Sequence, residues 1–352
     1  MQSSMKAEET SLHQSAPVAT ADASIPRLPA HTFFGHVLNE RFQLSDKVLG
    51  SGSFGHAILC YDYQSPHDRA SQVDSHLTCI AKVETVPTES CLNPKETQLE
   101  HERAIYTHLH QYHKLRKYLP TIHLFVHHTV SLGVQVPVMV MERAGKDLLT
   151  ILVDEDLPCY ELRTLGRIGV QVVTALKYMH EMFVVHRDIK PQNIMLIVEG
   201  PTFQVKLIDF GLSMPIPEDQ MDETQRARYR SSTCTLAFAS WRQHFRHVCS
   251  ARTDMESFMY SWLFLAGTRI PWSDAPHESD VGKLARREWI GRAKRSADAH
   301  ELCARFDAMG RDPYGVRWSD LLIHAIGLEF AERPSYSKFI KYLTWLSNPP
   351  RL

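Results

Sequence analysis

Two short polar motifs set between apolar runs constrain this chain more than any other feature of its sequence. The first is His186-Arg187-Asp188-Ile189-Lys190-Pro191-Gln192-Asn193, and the second is Asp209-Phe210-Gly211. Apolar runs over 194–198 and 203–208 lie between the motifs and are joined by Glu199-Gly200-Pro201, a pattern that predicts a β-hairpin. Such a hairpin would hold the two motifs side by side.

The residue types in these motifs suit the transfer of a phosphoryl group. Asp188 can accept the proton of a substrate hydroxyl, and Lys190 places a positive charge beside the group being transferred. Asp209 and Asn193 offer oxygen ligands to Mg²⁺, a cation that usually binds one or two carboxylates together with phosphate oxygens. The pattern therefore predicts a site for ATP and Mg²⁺, in which Asn193 and Asp209 are the metal ligands.

Length and composition narrow the class of protein. A chain of 352 residues exceeds one ordinary domain, which favours two lobes with a cleft between them. The formal net charge of −1 provides no basic attraction to nucleic acid, and no apolar run reaches the length of about 20 residues that a bilayer crossing needs. Seven scattered cysteines without a C-x-x-C pair favour a reducing compartment. We therefore expect an intracellular protein, cytoplasmic or nuclear or both, and a monomer, although the sequence does not determine the oligomeric state.

The N-terminal part contains a glycine-rich motif. Residues 1–32 nearly lack large apolar side chains and are expected to be disordered, and a folded domain is expected over 33–348, with lobes over 33–143 and 144–348. Leu49-Gly50-Ser51-Gly52-Ser53-Phe54-Gly55 stands between two strand-like runs. A G-x-G-x-x-G motif also occurs in dinucleotide-binding folds, but a helix follows it there, whereas a strand follows it here. The motif therefore predicts a loop whose backbone amides approach phosphates.

A strand over 77–83 carries Lys82. A lone lysine in a strand is usually an exposed edge charge, but this one follows the last glycine of the loop by 27 residues, as the lysine of a V-A-I-K motif does, and we therefore expect it to bind the α- and β-phosphates of ATP. A helix from about residue 95 to residue 114 follows, with apolar side chains near helical spacing. Two of its residues, Glu102 and Glu100, are candidate partners for the Lys82 ammonium, and Glu102 is favoured because it shares a helix face with apolar residues. Strands over 122–127 and 134–141 then lead to residues 142–145, interpreted as the hinge between the lobes, whose backbone would hydrogen-bond adenine.

The second half of the chain is predicted to be mainly helical. An apolar stripe runs over 162–182, and a helix over 254–266 is apolar nearly all round, which indicates burial. Asp254, at the start of that helix, is expected to accept amide hydrogens from the 186–193 motif. Further helices are expected near 283–296, 317–329 and 336–347. The predicted fold class is α+β, with a small antiparallel sheet in the first lobe and helices in the second.

These features together resemble a eukaryotic protein kinase, most closely of the casein kinase 1 family, over about residues 38–347. The glycine-rich motif matches that family as written, Glu102 to Tyr106 resembles its E-S-K-I-Y helix, and Arg252 to Ser257 resembles its R-D-D-L-E-S run. Ile270-Pro271-Trp272 resembles its L-P-W, and Ala239-Ser240 stands where the family has A-S-I-N. The resemblance implies a bilobal kinase fold and transfer of the ATP γ-phosphoryl group to Ser or Thr hydroxyls of protein substrates.

The resemblance also implies roles for single residues of the nucleotide site. Met141 matches the gatekeeper, Glu142 and Ala144 match the hinge, and Thr235 matches the threonine that steadies the catalytic aspartate and lysine. Asp147 matches a ribose-side position, and Met195 and Ile208 match the floor of the adenine pocket. The predicted catalytic residues are thus Asp188, Lys190, Lys82, Glu102 and Thr235.

Three departures from the family pattern affect the expected site. Ala57 replaces the Val or Ile that usually covers adenine, and Ile80 occupies the Ala position two residues before Lys82. Both positions touch adenine in this fold, so the larger Ile80 side chain can fill the volume that the smaller Ala57 side chain leaves. The alternative is that the two substitutions arose independently and weaken ATP binding. The run Cys234-Thr235-Leu236 stands where the family has G-T-A-R, and we expect Leu236 to replace the Arg that holds a substrate phosphate.

The alternative function is a nucleotide-binding pseudokinase or scaffold with little catalytic activity. Such proteins usually lack Lys82, Asp188, Asn193 or Asp209, and this chain has all four. The sequence therefore favours an active enzyme.

Overall fold

A six-stranded antiparallel sheet makes up most of the N-terminal lobe. The computed structural model describes residues 28–51, 55–63, 78–85, 97–130, 133–215 and 235–348. Within them the strand order of this sheet is β1-β2-β3-β4-β6-β5. Its strands are β1 (Val37–Leu38), β2 (Phe42–Ser51), β3 (Gly55–Asp62), β4 (Cys79–Glu84), β5 (Ile122–Thr129) and β6 (Gln135–Glu142).

Both faces of this sheet are covered, which explains the continuous apolar run of β6. Val138 and Val140 belong to a small core on one face, whereas Met139 and Met141 join the large core that extends into the second lobe. Alternate residues of a strand point to opposite faces, so a strand buried on both sides has no polar positions in its middle.

The described part of the first lobe includes residues before the predicted boundary at residue 33. Ala30–Phe33 form a 3₁₀ helix, and the Phe33 side chain is fully buried in the small core. Leu28 packs against the same core. The rest of the segment predicted to be disordered, residues 1–27, lies outside the described residues.

Helix α1 (Gln98–Leu109) is shorter than the predicted helix over 95–114. The Thr97 hydroxyl caps its start by accepting the Glu100 amide hydrogen (3.2 Å). After Leu109 the chain leaves the α-helical conformation and forms a 3₁₀ turn over Arg116–Tyr118. The predicted apolar face is correct, since the buried residues of α1 are Leu99, Glu102, Ile105, Tyr106 and Leu109.

The C-terminal lobe is mainly helical, as predicted. The helix over Ala251–Leu265, α5, is buried along its whole length apart from Phe264 and begins three residues earlier than expected. Helices α2, α4, α6 and α8 were not predicted; α8 begins after Asp298, whose carboxylate accepts the amide hydrogens of His300 and Glu301. The helices are α2 (Leu148–Asp154), α3 (Leu162–Glu181), α4 (Trp241–His244), α5 (Ala251–Leu265), α6 (Glu278–Val281), α7 (Lys283–Ser296), α8 (Ala299–Asp307), α9 (Trp318–Gly327) and α10 (Tyr336–Ser347).

The predicted hairpin between the two polar motifs is present. Strands β9 (Ile194–Glu199) and β10 (Thr202–Leu207) pair in antiparallel register, and β9 also pairs with β7 (Lys146–Asp147). A second small pair joins β8 (Val184–Val185) to β11 (Met214–Pro215), one strand just before the first motif and one just after the second. The paired strands on either side of the two motifs therefore hold the motifs next to each other. The predicted two-lobed α+β organisation is confirmed. Among the described helices, none has the length and apolar character needed to cross a bilayer.

Candidate active site

The 186–193 motif forms a loop in which the Asp188 carboxylate is held on both oxygens. The Thr235 hydroxyl donates to Oδ1 (2.7 Å) and the Lys190 ammonium donates to Oδ2 (2.6 Å). The same ammonium donates to the Thr235 hydroxyl (3.0 Å), which closes a three-residue cluster. Asn193 Nδ2 donates to the backbone oxygen of Asp188 (2.8 Å). Asp188 and Lys190 of this motif therefore lie together with Thr235, which was predicted from a part of the chain 47 residues after Asp188.

Asp254 supports this loop from beneath, at the position predicted for it. Its fully buried carboxylate accepts the amide hydrogens of His186 (2.7 Å) and Arg187 (2.8 Å). Arg187 has a left-handed backbone conformation (φ +72°), which costs energy for a non-glycine residue. Gln243 Nε2 donates to the Arg187 backbone oxygen (2.8 Å), a contact that the sequence did not indicate. These bonds hold the strained loop in one conformation.

A second charged cluster lies above the loop. Lys82 Nζ is 2.6 Å from Glu102 Oε1 and 3.7 Å from Asp209 Oδ1. Glu100, the rival candidate, instead faces His127, with 3.4 Å between Oε1 and Nε2. Burial works to lower the pKa of Lys82, but the negative charges of Glu102 and Asp209 outweigh it and raise the pKa. Lys82 is thus held as a cation, the form that binds phosphate.

Helix α1 contacts the Asp209-Phe210-Gly211 motif directly. The Phe210 ring is buried between Tyr106 and His186, with ring centroids 4.7 Å and 4.8 Å away, and the Phe210 amide donates to Glu102 Oε1 (3.2 Å). Gln98 Nε2 donates to the Gly211 backbone oxygen. These contacts couple the position of Glu102 to that of Asp209, and the Gln98 contact was not predicted because nothing in the local sequence indicates it.

The oxygens of Asp209 and Asn193 fit a hard divalent cation. Burial acts to raise the pKa of Asp209, but the positive charges of Lys82 and Lys190 lower it overall, so the carboxylate is ionised. The Asn193 amide nitrogen already donates to Asp188, which leaves its oxygen available as a ligand. Among the described residues, no group of three or more His, Cys, Asp or Glu side chains is placed to hold a metal. An ion bound here would complete its shell with phosphate and water oxygens.

Both clusters open into one cleft of about 730 Å³ between the lobes. Ala57 lies opposite Lys82 across β3 and β4, and Ile208 lies at the end of the hairpin. The cleft is lined by the predicted residues Gly50, Ser51, Gly55, Ala57, Lys82, Glu102, Asp188, Lys190, Asn193, Ile208, Asp209 and Thr235. Gly52, Ser53 and Phe54 lie outside the described residues. Leu49, Ile80, Met141, Glu142, Ala144, Asp147 and Met195 are not among the described residues that line it.

The predicted hinge follows β6, and the backbone of buried Ala144 has no hydrogen-bond partner within the described part of the chain. The Glu142 carboxylate accepts the Thr121 amide hydrogen (2.9 Å) and pairs with the Lys206 ammonium (2.9 Å). Partial burial acts to raise the pKa of Glu142, but these contacts lower it overall. Gly145 ends the hinge with φ +80°, where a Cβ would collide with the Leu196 backbone oxygen.

Three other predicted positions, Asp147, Ile80 and Met195, make contacts within the protein. The Asp147 carboxylate caps α2 by accepting the amide hydrogens of Leu149 (3.0 Å) and Thr150 (2.9 Å), so a contact to ribose would compete with this cap. Ile80 faces Met141 across β4 and β6 and packs against the large core, and Met195 pairs with Asp147. The roles of these residues at the nucleotide stay predictions.

The segment after Thr235 corrects one expectation. In G-T-A-R the Arg comes two residues after the Thr, so its position here is Ala237, and the expectation that Leu236 replaces the Arg is wrong. Leu236 is half-buried and packs against the large core, whereas the Ala237 backbone oxygen accepts the indole hydrogen of Trp272 (2.9 Å). Cys234 lies outside the described residues.

A two-lobed α+β fold with this pair of motifs facing one cleft defines the protein kinase class. The family model for the protein kinase domain matches residues 44–242, more than half of the chain. The chain belongs to the protein kinase family.

Its similarity to known proteins supports the predicted subfamily. A probable casein kinase I homolog of Encephalitozoon cuniculi (strain GB-M1) is 31% identical over 166 residues, which cover 47% of this chain and 53% of the relative. A second probable casein kinase I homolog of the same organism is 29% identical over 173 residues, covering 48% of this chain and 49% of the relative. The chain thus spans about half the length of the curated relatives it matches and is casein kinase I-like.

Proposed function

We propose that this protein is a Ser/Thr protein kinase that transfers the γ-phosphoryl group of ATP to protein hydroxyls. The observation that carries the proposal is the Asp188–Lys190–Thr235 cluster, which faces the same cleft as the Lys82–Glu102–Asp209 cluster. A kinase needs its strand lysine paired with the helix glutamate and its metal-binding aspartate in place at the same time. This arrangement meets both conditions and therefore favours an active enzyme over the pseudokinase or scaffold alternative.

Each residue of the two clusters has its own role in the proposed reaction. Asp188 accepts the proton of the attacking hydroxyl, and Lys190 neutralises charge on the transferred group. Lys82 binds phosphate oxygens and is kept in position by Glu102. When bound through Asp209 and Asn193, Mg²⁺ would supply further neutralisation of the phosphates. Most of the rate enhancement would come from positioning and electrostatics.

The substrate class and the compartment follow from weaker observations. The Thr235–Asp188 hydrogen bond, at a position that matches a threonine of Ser/Thr kinases, supports Ser and Thr as acceptors. The five cysteines in the described residues are free thiols, which supports a reducing, intracellular location. We propose protein substrates on the same grounds, and ATP with Mg²⁺ as cofactors.

Phosphate transfer from radiolabelled ATP to casein and to a peptide library tests the proposal. We expect Mg²⁺-dependent labelling that phosphoamino acid analysis assigns to Ser and Thr. Asp209→Asn should weaken Mg²⁺-dependent ATP binding by roughly 10–100-fold, the scale of a perturbed metal site. Asp154→Asn, which changes an exposed partner of Lys146, is the matched control and should leave activity unchanged.

Two results would contradict the proposal. Labelling of tyrosine alone would remove the Ser/Thr assignment. Tight Mg²⁺-ATP binding without transfer to any protein or peptide would instead favour the pseudokinase or scaffold function.

A further inference from the structure

Residues 235–239, here called the Thr235 segment, form a tight turn beside the catalytic loop. The amides of Phe238 (3.1 Å) and Ala239 (3.0 Å) donate to the Thr235 backbone oxygen. The side-chain hydroxyl of Thr235 donates to the Asp188 carboxylate. The placement of that hydroxyl therefore depends on how the backbone of the segment is held.

Two buried side chains of the C-terminal lobe hold this backbone. The Lys294 ammonium on α7 donates to the backbone oxygens of Leu236 (2.8 Å) and Ala239 (2.6 Å). Trp272 Nε1 donates to the Ala237 backbone oxygen between them (2.9 Å). Three carbonyl groups of a five-residue segment are thus bound by side chains that come from elsewhere in the chain.

The third hydrogen of the Lys294 ammonium also has an acceptor. His244 Nε2 lies 3.3 Å from Lys294 Nζ, and His244 Nδ1 lies 2.9 Å from the Arg287 backbone oxygen. A carbonyl oxygen can only accept, so Nδ1 carries the ring hydrogen and Nε2 accepts from the lysine. Burial, and then the charge of Lys294, lower the pKa of His244 to about 3, so the ring is neutral. All three ammonium hydrogens are therefore used.

This lysine lies in an unusual place for a cation. Only 1% of its surface is exposed, and the rings of Tyr260 and Trp272 lie within 4.9 Å and 5.0 Å of Nζ. An ammonium in the interior costs several kcal/mol of desolvation, which carbonyl oxygens and aromatic faces offset in part. An apolar side chain would avoid that cost, but it could not bind the two carbonyl oxygens of the Thr235 segment.

We propose that Lys294 is a positioning residue for phosphoryl transfer. With Trp272 it holds the Thr235 segment from inside the C-terminal lobe, so that the Thr235 hydroxyl meets Asp188 and Lys190 at hydrogen-bonding distance. Lys294 acts through Thr235 and is not itself a catalytic residue. The inference rests on the proposed kinase function and adds to it a residue on a distant helix.

The test compares Lys294→Met with a control that lowers stability elsewhere. Methionine keeps an unbranched side chain and removes the three donors. We expect kcat/KM for a peptide to fall roughly 10–100-fold, as expected for a small displacement of catalytic groups, while the ATP dissociation constant stays within about twofold of the wild type. Leu343→Ala removes a fully buried leucine that packs against α3, and should lower stability without this loss when assayed well below its melting temperature.

A double-mutant cycle with Thr235→Ala shows whether Lys294 acts through Thr235. We expect Lys294→Met to cost little further activity once the Thr235 hydroxyl is absent, because groups that act as one unit are not additive. Fully additive effects would overturn the inference, and so would equal activity losses in Lys294→Met and Leu343→Ala.

Trp272→Phe provides a test even if Lys294→Met does not fold. It keeps an aromatic ring near Lys294 but removes the hydrogen bond to Ala237 together with part of the buried indole. We expect a several-fold loss of peptide kcat/KM with unchanged ATP affinity, and Leu343→Ala again controls for lost packing. Unchanged peptide turnover in this variant would overturn the inference. The proposed function is tested separately, on the wild type alone, by whether it transfers phosphate to Ser or Thr.

Discussion

On the nucleotide side of the cleft, Lys82, Glu102 and Asp209 are held by opposite charges, whereas on the substrate side the Thr235 segment is held by a buried ammonium and neutral oxygens. The first cluster is partly open to solvent, with the Asp209 side chain 47% exposed. Lys294 is almost fully enclosed. Charges that reach solvent are screened by salt and can rearrange around a ligand, but an enclosed cation is not screened and cannot move far. We therefore expect the nucleotide side to rearrange around a ligand more readily than the substrate side.

The largest expected effect comes from Asp188, the proton acceptor on the substrate side of the cleft. Asp188→Asn removes the proton acceptor but keeps a side chain of the same size for Thr235 and Lys190 to contact. We expect turnover to fall by roughly 10²–10⁴-fold, the usual contribution of a positioned general base, with ATP binding nearly unchanged. Steady-state kinetics and calorimetry check this. A loss below tenfold would remove Asp188 from this role.

Acid should destabilise the fold through His244, which supports the substrate side. His244 is neutral in the folded protein, with a pKa of about 3, and gains a proton in the unfolded chain below its ordinary pKa of about 6.5. The unfolded state then binds more protons, so stability falls as the pH decreases from 6.5 toward 3. From pH 7 to pH 5 this contribution is about 2 kcal/mol.

Buried Glu256 contributes with the opposite sign. Burial is the main cause that raises its pKa to about 7, so the folded state retains a proton that the unfolded state loses between pH 4.5 and 7. Urea unfolding of the wild type and of His244→Gln at pH 7, 6 and 5 separates the two contributions. Glutamine can still accept from Lys294 and donate to Arg287. Between pH 7 and pH 5 the wild type should lose about 2 kcal/mol more of its free energy of unfolding than His244→Gln does. An equal loss in both proteins would contradict the neutral ring.

The next smaller effect concerns substrate choice. The family's Arg position is Ala237, which offers no charge to a phosphate already present on a substrate. An Arg–phosphate contact contributes roughly 1.5–3 kcal/mol when well formed and less where salt screens it. Ala237→Arg should therefore raise the preference for a phosphorylated over an unphosphorylated peptide by about tenfold in kcat/KM. Leu236→Arg is the matched control, since Leu236 packs against the core. A strong preference already present in the wild type would show that another cation binds the phosphate.

The two sides also differ in how far the sequence predicts them. Asp188, Asn193 and Asp209 belong to two short motifs joined by one hairpin, and Glu102 lies on a helix whose apolar spacing is readable, so local patterns bring them together. Lys294 is one of several basic residues in α7, and its burial depends on His244 and on the carbonyl groups of a segment about 55 residues away. Nothing in the local sequence separates it from an exposed lysine. The early end of α1 and the start of α8 were missed for a related reason, because turn and capping contacts decide helix ends.

The smallest expected effect tests whether the nucleotide side adapts as the comparison implies. Ala57 lies opposite Lys82, and Ile80 lies two residues along the same strand, so the two side chains are diagonal neighbours on one face of the sheet. Ala57→Val should crowd the cleft, and Ile80→Ala should open a gap beside Met141, so each change alone should weaken ATP binding. In the double variant the added and removed volumes offset each other, and we expect a coupling of about 0.5–1 kcal/mol, the low end of the range for residues that share a cavity. Calorimetric ATP titration of the four proteins measures it. Additive effects would show that the two positions are independent, and that this wall of the cleft is as rigid as the segment bound by Lys294.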